Sequence, residues 1–316
     1  MRPKVSIVIP VYGVEKYIAR CARSLFEQTL DDMEFVFVDD CTQDASIDVL
    51  QKVMLEYPER KRQVTIIHHD TNRGLPQARK SGVLAAKGDY IIHCDSDDWV
   101  HTDMYRLMYE KAKDENADVV VCDYCVHDGN RELKIVHGCQ STDVEKFKIN
   151  LLFQKDSWSL CNKMFRKTSC YKDIIYPKGN MGEDMAICAQ LILYCKKIAY
   201  VDKPLYYYYM NSDSISHNLT IDKVMRNFNA IRENTDIVLH AYSHINNKQI
   251  KNGLLYIQYN AKAHLFPIVH RKGYRRLFLN TYPNLFSKMI FSSGIPCECK
   301  LKYIWALMGF YPRKIG

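Results

Sequence analysis

No stretch of this 316-residue chain approaches the roughly 20 consecutive apolar residues that a membrane-spanning helix needs, so none is expected. Internal repeats and low-complexity segments are absent as well. The N-terminus has no signal-peptide core: Arg2 and Lys4 precede an apolar patch that is very short and holds Pro10, which reads as a first strand. No histidine pair at zinc-finger spacing follows Cys122-Asp-Tyr-Cys125 or Cys297-Glu-Cys299. Val119 to Tyr124 reads as a strand, where residues three apart face opposite sides and a chelate is strained. Twelve cysteines without an export signal point to a reducing, cytoplasmic setting.

What is present is a globular composition, 47% hydrophobic and 25% charged. The length suits one large domain, or a catalytic domain with a smaller one. Charge is uneven. From His217 onward there are 15 Lys and Arg against 4 Asp and Glu, or +11; the remainder holds 29 against 32, or −3. A basic tail on a mildly acidic body suits an anionic surface or acidic partner, or simply solvated helix faces.

Short β-branched runs alternate with helical periodicity through the first half. Strands are expected at Val5–Pro10, Glu34–Val38, Val64–His68, Tyr90–Cys94 and Val119–Tyr124. Between them, Val14, Ile18, Cys21, Ala22 and Leu25 recur at helical spacing. Asp44 is placed to cap a helix carrying Ile47, Leu50 and Met54, and Gln77–Lys87 and Met104–Glu115 read as helices. This rhythm predicts an α/β fold with a mostly parallel sheet flanked by helices, in which ligands sit beyond the carboxyl ends of the strands. The polar clusters at Tyr12, Asp39-Asp40 and Asp95 to Asp98 fall at those ends. After Gly129 the rhythm breaks. Gly182-Glu183-Asp184 opens a further helix, Leu205 to Tyr209 is an aromatic strand, and the chain beyond His217 is helical and basic.

Gly88-Asp-Tyr-Ile-Ile-His-Cys-Asp95-Ser-Asp97-Asp98 delivers three carboxylates to one strand end. Carboxylates so crowded raise one another's pKa unless a cation compensates them. Hard oxygen donors suit Mg²⁺ or Mn²⁺, although Asp97 or Asp98 could equally cap the next helix.

Together with Val5-Ser-Ile-Val-Ile-Pro-Val-Tyr12, Phe37-Val-Asp-Asp40, Asn72-Arg-Gly74 with Ala78-Arg79, and Gly182-Glu-Asp184, this segment resembles the family 2 glycosyltransferases of GT-A fold. The likeness runs from about residue 4 to 217. It implies a catalytic domain over 1–217 (a nucleotide-binding half, 1–129, and a donor-sugar and acceptor half, 130–217), followed by a helical C-terminal region, 218–316. It implies a nucleotide-sugar donor, usually with UDP, and inversion at the anomeric carbon. Asp40 would accept the uracil N3–H beside Asp39, with Tyr12 against the base and Pro10 shaping the turn beneath it. Asp95 would face the ribose, Ser96 border the donor, and Asp97, with Asp95, hold the metal. Arg79 would contact the nucleotide or diphosphate; Lys80 stands where relatives often have Asn. Asp184 matches the base and Glu183 would assist it. Trp158 and Lys163 fall where relatives contact donor sugar and acceptor. Tyr206 to Tyr209 with Ser214-Ile-Ser216 resembles the segment closing over the donor, with Met210 where relatives commonly carry arginine. His217 could join the metal shell.

The resemblance gives no role to the tail. There Lys300, Lys302, Arg313 and Lys314 flank Tyr303-Ile-Trp-Ala-Leu-Met-Gly-Phe-Tyr311, which suits a membrane interface or a final helix packed on the catalytic domain. The expected acceptor is a saccharide or glycolipid, with surface-polysaccharide synthesis at the cytosolic membrane face as the setting, and no nucleic-acid motif is present. A sugar-nucleotide nucleotidyltransferase is the alternative enzyme. It would carry a glycine-rich, arginine-containing loop where this chain reads Tyr12-Gly-Val-Glu-Lys-Tyr17. A non-catalytic nucleotide-sugar-binding module is the other alternative, and the intact Glu183-Asp184 speaks against it.

Overall fold

The structure, a computed structural model, describes residues 2–210 and 220–309. Strands β1 (Val5–Val11) and β2 (Met33–Asp39) are near-continuous apolar runs because both their faces are covered. Between them α1 (Ile18–Phe26) buries Ile18, Cys21, Ala22 and Leu25, the stripe its spacing predicts. Helix α2 (Ser46–Glu56) follows, with the Asp44 carboxylate accepting the Ser46 N–H at 3.1 Å. Beyond β3 (Val64–His68), α3 (Leu75–Ala85) begins two residues earlier than expected, since Pro76 is tolerated in a first helical turn. Gly82 lets α3 lie on the sheet: a Cβ there would stand 2.3 Å from the Val8 side chain.

The chain continues through β4 (Tyr90–His93), the two-residue β5 (Trp99–Val100), α4 (Met104–Asp114), β6 (Val119–His127) and β7 (Glu132–Val136). Then come α5 (Val144–Leu152), β8 (Lys163–Arg166), α6 (Lys167–Cys170), α7 (Glu183–Leu193) and β9 (Ile198–Tyr209). The nine strands of the described residues form one sheet, ordered β3-β2-β1-β4-β8-β6-β9-β5 with β7 on β6. Strands β1, β2, β3, β4, β6 and β9 share one direction, so the sheet is mostly parallel. Strand β8, for which no sequence pattern stands, inserts antiparallel between β4 and β6. Its Lys-Met-Phe-Arg lies in a mixed aromatic and basic stretch with no alternation to read.

Five helices complete the described chain: α8 (Ile221–Ala241), α9 (Lys248–Ala263), α10 (Lys272–Asn280), α11 (Leu285–Ile290) and α12 (Cys297–Met308). They enclose their own core of Val224, Phe228, Tyr259, Phe278 and Tyr303. Lys262 is buried there, donating to the Tyr303 hydroxyl at 2.6 Å with its ammonium 4.4 Å from the Phe278 ring. Tyr303 and Ala306 thus bury the inner face of α12 within this C-terminal cluster. The cluster docks through α8 on α7. The Asn234 amide donates to the Met181 carbonyl at 2.7 Å, and the Tyr242 hydroxyl to that of Ala189 at 3.0 Å. Gly182, left-handed at φ 76°, begins α7, and a Cβ on it would meet the Ile231 side chain at 2.4 Å. All twelve cysteines are free thiols, and Cys122 and Cys125 are buried on β6. None of the described helices is long and apolar enough to cross a membrane. Ser214, Ser216, His217, Arg313 and Lys314 lie outside the described residues.

Candidate active site

A cleft of about 420 Å³ opens at the carboxyl ends of β1, β2 and β4. Pro10, Tyr12, Asp40, Asp95, Ser96 and Asp97 all line it, so the first, second and fourth strands deliver their polar ends to one place. Tyr12 is 54% exposed, available to a flat ligand face. Asp40 is buried and holds the opposite loop. Its carboxylate accepts the Arg73 and Gly74 N–H groups, each at 2.8 Å, and lies 2.7 Å from His69 Nδ1. That explains Asn72-Arg-Gly74: the loop is pinned by an aspartate from β2, and Gly74 takes φ 85° where a Cβ would collide with Asn180. Asp39 points elsewhere, to the Thr42 N–H and His68 Nδ1, both at 2.8 Å, and does not line the cleft.

The three carboxylates at the end of β4 divide by environment. Asp98 is buried and structural: it accepts the Tyr206 hydroxyl and, at 2.7 Å, the Tyr209 N–H, tying β9 to this turn. The Asp95 N–H donates to the same Tyr206 hydroxyl at 3.2 Å. Asp97 is partly buried, and burial with the nearby Asp95 charge pushes its carboxyl up to about 6. Beneath it Arg20 donates to the Asp97 carbonyl at 2.8 Å, its guanidinium 3.8 Å from the Trp99 ring centroid. A carboxylate held near like charge in this way fits a divalent cation, which would relieve it. Two carboxylates with remaining ligands from water and diphosphate is an ordinary Mg²⁺ arrangement. The three-residue grouping Asp123, His137 and Asp202 also brings possible ligand atoms within 4.8 Å of one another, but it does not line the cleft. Asp123 is engaged there with the Gly138 N–H and the Tyr200 hydroxyl.

Arg79 joins the two halves of the site. It is 1% exposed, and its guanidinium donates to Asp184 at 2.5 Å and to Asp95 at 2.8 Å, with Glu183 at 3.6 Å. Burial alone would favour loss of its proton; Asp184 and Asp95 more than offset that and hold it charged. Sequence positions 95 and 184, on separate elements, are therefore linked by a single side chain. Burial also raises the Asp184 carboxyl above the usual aspartate range, against the pull of Arg79. Burial, then the charge of Asp184, pushes Glu183 up to about 8.

A carboxyl whose folded pKa exceeds its unfolded value keeps a proton that the unfolded chain loses. Its contribution to stability therefore falls as pH rises from about 4.5 towards about 8. Glu183→Gln is expected to flatten that slope and raise the thermal midpoint relative to wild type most at pH 8. Parallel slopes for the two proteins from pH 5 to 8 would show that Glu183 is ionised throughout.

Two expected contacts lie elsewhere. Lys163 is fully buried, its ammonium donating to the Ser157 and Ser159 carbonyls at 2.8 Å and to Asn162 Oδ1 at 2.9 Å. It braces the loop before β8 and does not line the cleft. Trp158 packs between the apolar clusters around α5 and α7, also away from the cleft wall. Conversely, Asn180 and Tyr208 line the cleft and were not picked out one by one. Asn180 Oδ1 accepts the Leu75 N–H at 3.1 Å, fastening the loop before α7 to the start of α3. Tyr208 comes from the tyrosine run, whose alternation on β9 turns one ring towards the site.

The mostly parallel sheet flanked by helices, with carboxylates gathered at its strand ends, has the GT-A fold. The description "Glycosyl transferase family 2" matches residues 6–170, and the chain belongs to that family. EpsH of Bacillus subtilis (strain 168) is 32% identical over 225 residues, 67% of this chain and 62% of EpsH's length. Glycosyltransferase GlyG of Streptococcus pneumoniae serotype 4 is 27% identical over 227 residues, 68% of this chain and 73% of GlyG. Among solved structures, S. aureus TarS 1–349 superposes with a TM-score of 0.73 at 17% identity, over 97% of this chain and 87% of that one. The same protein in complex with UDP-GlcNAc gives 0.61 at 18% identity, over 98% and 93%.

Proposed function

We propose that this glycosyltransferase moves a sugar from a UDP-sugar to a hydroxyl of a saccharide or lipid-linked saccharide, with inversion and with Mg²⁺ or Mn²⁺, in cell-surface polysaccharide synthesis. The observation that carries the reading is the Arg79 bridge, which keeps the Asp95 and Asp184 carboxylates about one guanidinium. Asp184 takes the proton from the acceptor hydroxyl as its oxygen attacks the anomeric carbon and the bond to UDP breaks. One displacement inverts the centre, so a single base suffices. Asp40 Oδ2, which accepts the Gly74 N–H, retains capacity for the uracil N3–H, because a carboxylate oxygen accepts two bonds. Tyr12 lies against the base, and Asp95 faces the ribose. Asp97, with Asp95, would hold the divalent ion, which when bound offsets charge on the departing diphosphate. A UDP complex of a neighbour with the same fold supports UDP as the nucleotide.

A peripheral contact with anionic membrane is part of the reading. Its support is the outer face of the last two helices, where Leu301, Trp305 and Met308 are exposed and Phe291 is 90% exposed beside Lys288. The direct test of the reaction is slow hydrolysis of UDP-sugars and GDP-mannose to free nucleotide, with and without Mn²⁺. UDP release that depends on Mn²⁺ is expected; release of GDP alone would overturn the donor, and release of neither would overturn the reaction. Asp97→Asn is expected to weaken Mn²⁺-dependent UDP binding by about 10–100-fold or more. Calorimetry giving the same affinity for both proteins, with and without the ion, would remove its role.

A further inference from the structure

Beside the nucleotide cleft lies a second, larger one of about 810 Å³, and the two share Asn72, Gly74 and Asn180. One wall is a single face of α8: Lys223, Arg226, Asn227, Ala230 and Glu233 recur at three- and four-residue intervals, which a helix turns the same way. The other wall is the Asn72–Gly74 loop and residues 178–181, the segment that leads into Glu183 and Asp184. The wall ends at Met181, two residues before Glu183 in the chain, and neither Glu183 nor Asp184 lines the cleft itself.

Its lining is cationic. Arg73, Lys178, Lys223 and Arg226 face one carboxylate, Glu233, whose Oε1 already accepts the Lys178 backbone N–H at 3.2 Å. Arg73, Lys178 and Arg226 are solvent-exposed. Amides of Asn72, Asn180, Asn227 and Asn229 stand among these charges. Amides pair with hydroxyls in either direction, while guanidinium and ammonium groups pair with phosphate or carboxylate oxygens. The exposed Arg73, Lys178 and Arg226 around one concavity repel one another, and an entering anion would relieve them. Among the described residues no aromatic side chain lines this cleft, so it has no platform on which nucleic-acid bases would stack. Hydroxyl-binding amides among phosphate- or carboxylate-binding cations fit an acidic sugar chain.

We propose that this second cleft binds the acceptor, and that the acceptor is an acidic saccharide bearing phosphodiester or carboxylate groups. The inference rests on the glycosyl-transfer reading and names the substrate class of that site. Part of the excess positive charge beyond His217 is thereby given a place, on the exposed start of α8.

The test uses the full chain and three fluorescein-labelled oligomers of matched length: a phosphodiester-linked glucose oligomer, oligogalacturonate and neutral dextran, read by fluorescence anisotropy. One or both acidic oligomers should bind and dextran should not, with affinity falling as salt screens the charges. Binding of the phosphate oligomer alone identifies phosphodiester, and of galacturonate alone carboxylate. The double variant Lys178→Ala/Arg226→Ala should weaken acidic-oligomer binding about tenfold or more, with its thermal midpoint unchanged as a check on folding. Lys272→Ala/Arg276→Ala on α10, a basic pair outside the cleft, should bind as wild type. The proposal is overturned if dextran binds equally, if the cleft variant stays within about twofold, or if the α10 variant loses as much. Hydrolysis of UDP-sugars by the wild-type chain is measured alongside. If it is absent while acidic-oligomer binding remains cleft-dependent, the transfer reading fails, and the cleft binds acidic saccharides in some other capacity.

Discussion

Asp184→Asn is expected to lower glycosyl transfer by about 10²–10⁴-fold, the usual contribution of a positioned general base, while UDP affinity stays within a few-fold. Asparagine keeps an oxygen for the Arg79 guanidinium, now 2.5 Å from the aspartate, so the bridge persists and only basicity is lost. On the proposed reading Asp40 and Tyr12, not Asp184, hold the nucleotide, so binding should be spared. The pH profile carries a second signature. A base must be ionised, and burial raises the Asp184 carboxyl, so the wild-type rate should fall on the acid side at a pH above the ordinary aspartate range. Residual activity of the asparagine variant should lack that limb. Turnover near wild type would mean that another group accepts the proton.

Arg79→Met carries the largest expected cost in stability. Methionine matches much of the stem but leaves Asp95, Asp184 and Glu183 without their shared cation in a buried place. Removing one partner of a buried ion pair typically costs about 3–5 kcal/mol, because the remaining charge stays desolvated. The loss should shrink as pH falls, since protonated carboxyls no longer need the guanidinium. Raised carboxyl pKa values in the folded variant place its lost stability on the alkaline side, and urea unfolding at pH 5 and pH 8 would measure it. A variant within about 1 kcal/mol of wild type at both would show that the three acids are compensated by water or by Lys163.

The catalytic sheet was largely legible because its strands are buried on both faces and its helices are amphipathic, patterns that survive without tertiary information. The site was legible where polar residues terminate such strands, as at Asp40, Asp95 and Asp97. The resemblance places Arg79 at the nucleotide; its position between Asp95 and Asp184 depends on the start of α7 coming within reach of α3, which no local pattern encodes. Lys163 misled for a related reason. The resemblance places it among donor-sugar and acceptor contacts, yet three oxygens from its own loop satisfy the ammonium and allow full burial. The strand it begins, β8, is short and set by its neighbours, so periodicity could not reveal it. Composition alone does not separate Asp98 from Asp95 and Asp97; its bonds from Tyr206 and Tyr209 do.

The seating of Ile231 over Gly182, with the Asn234 amide on the Met181 carbonyl, bears on how this enzyme can be dissected or recombined. The turn that opens α7 and carries Glu183 and Asp184 packs against α8, and both lie beyond residues 6–170, the segment that matches the family. Replacing the helices after β9 would remove the side chains that pack over Gly182 and Met181, so such an exchange is expected to disturb the turn that opens α7 as well as the surface.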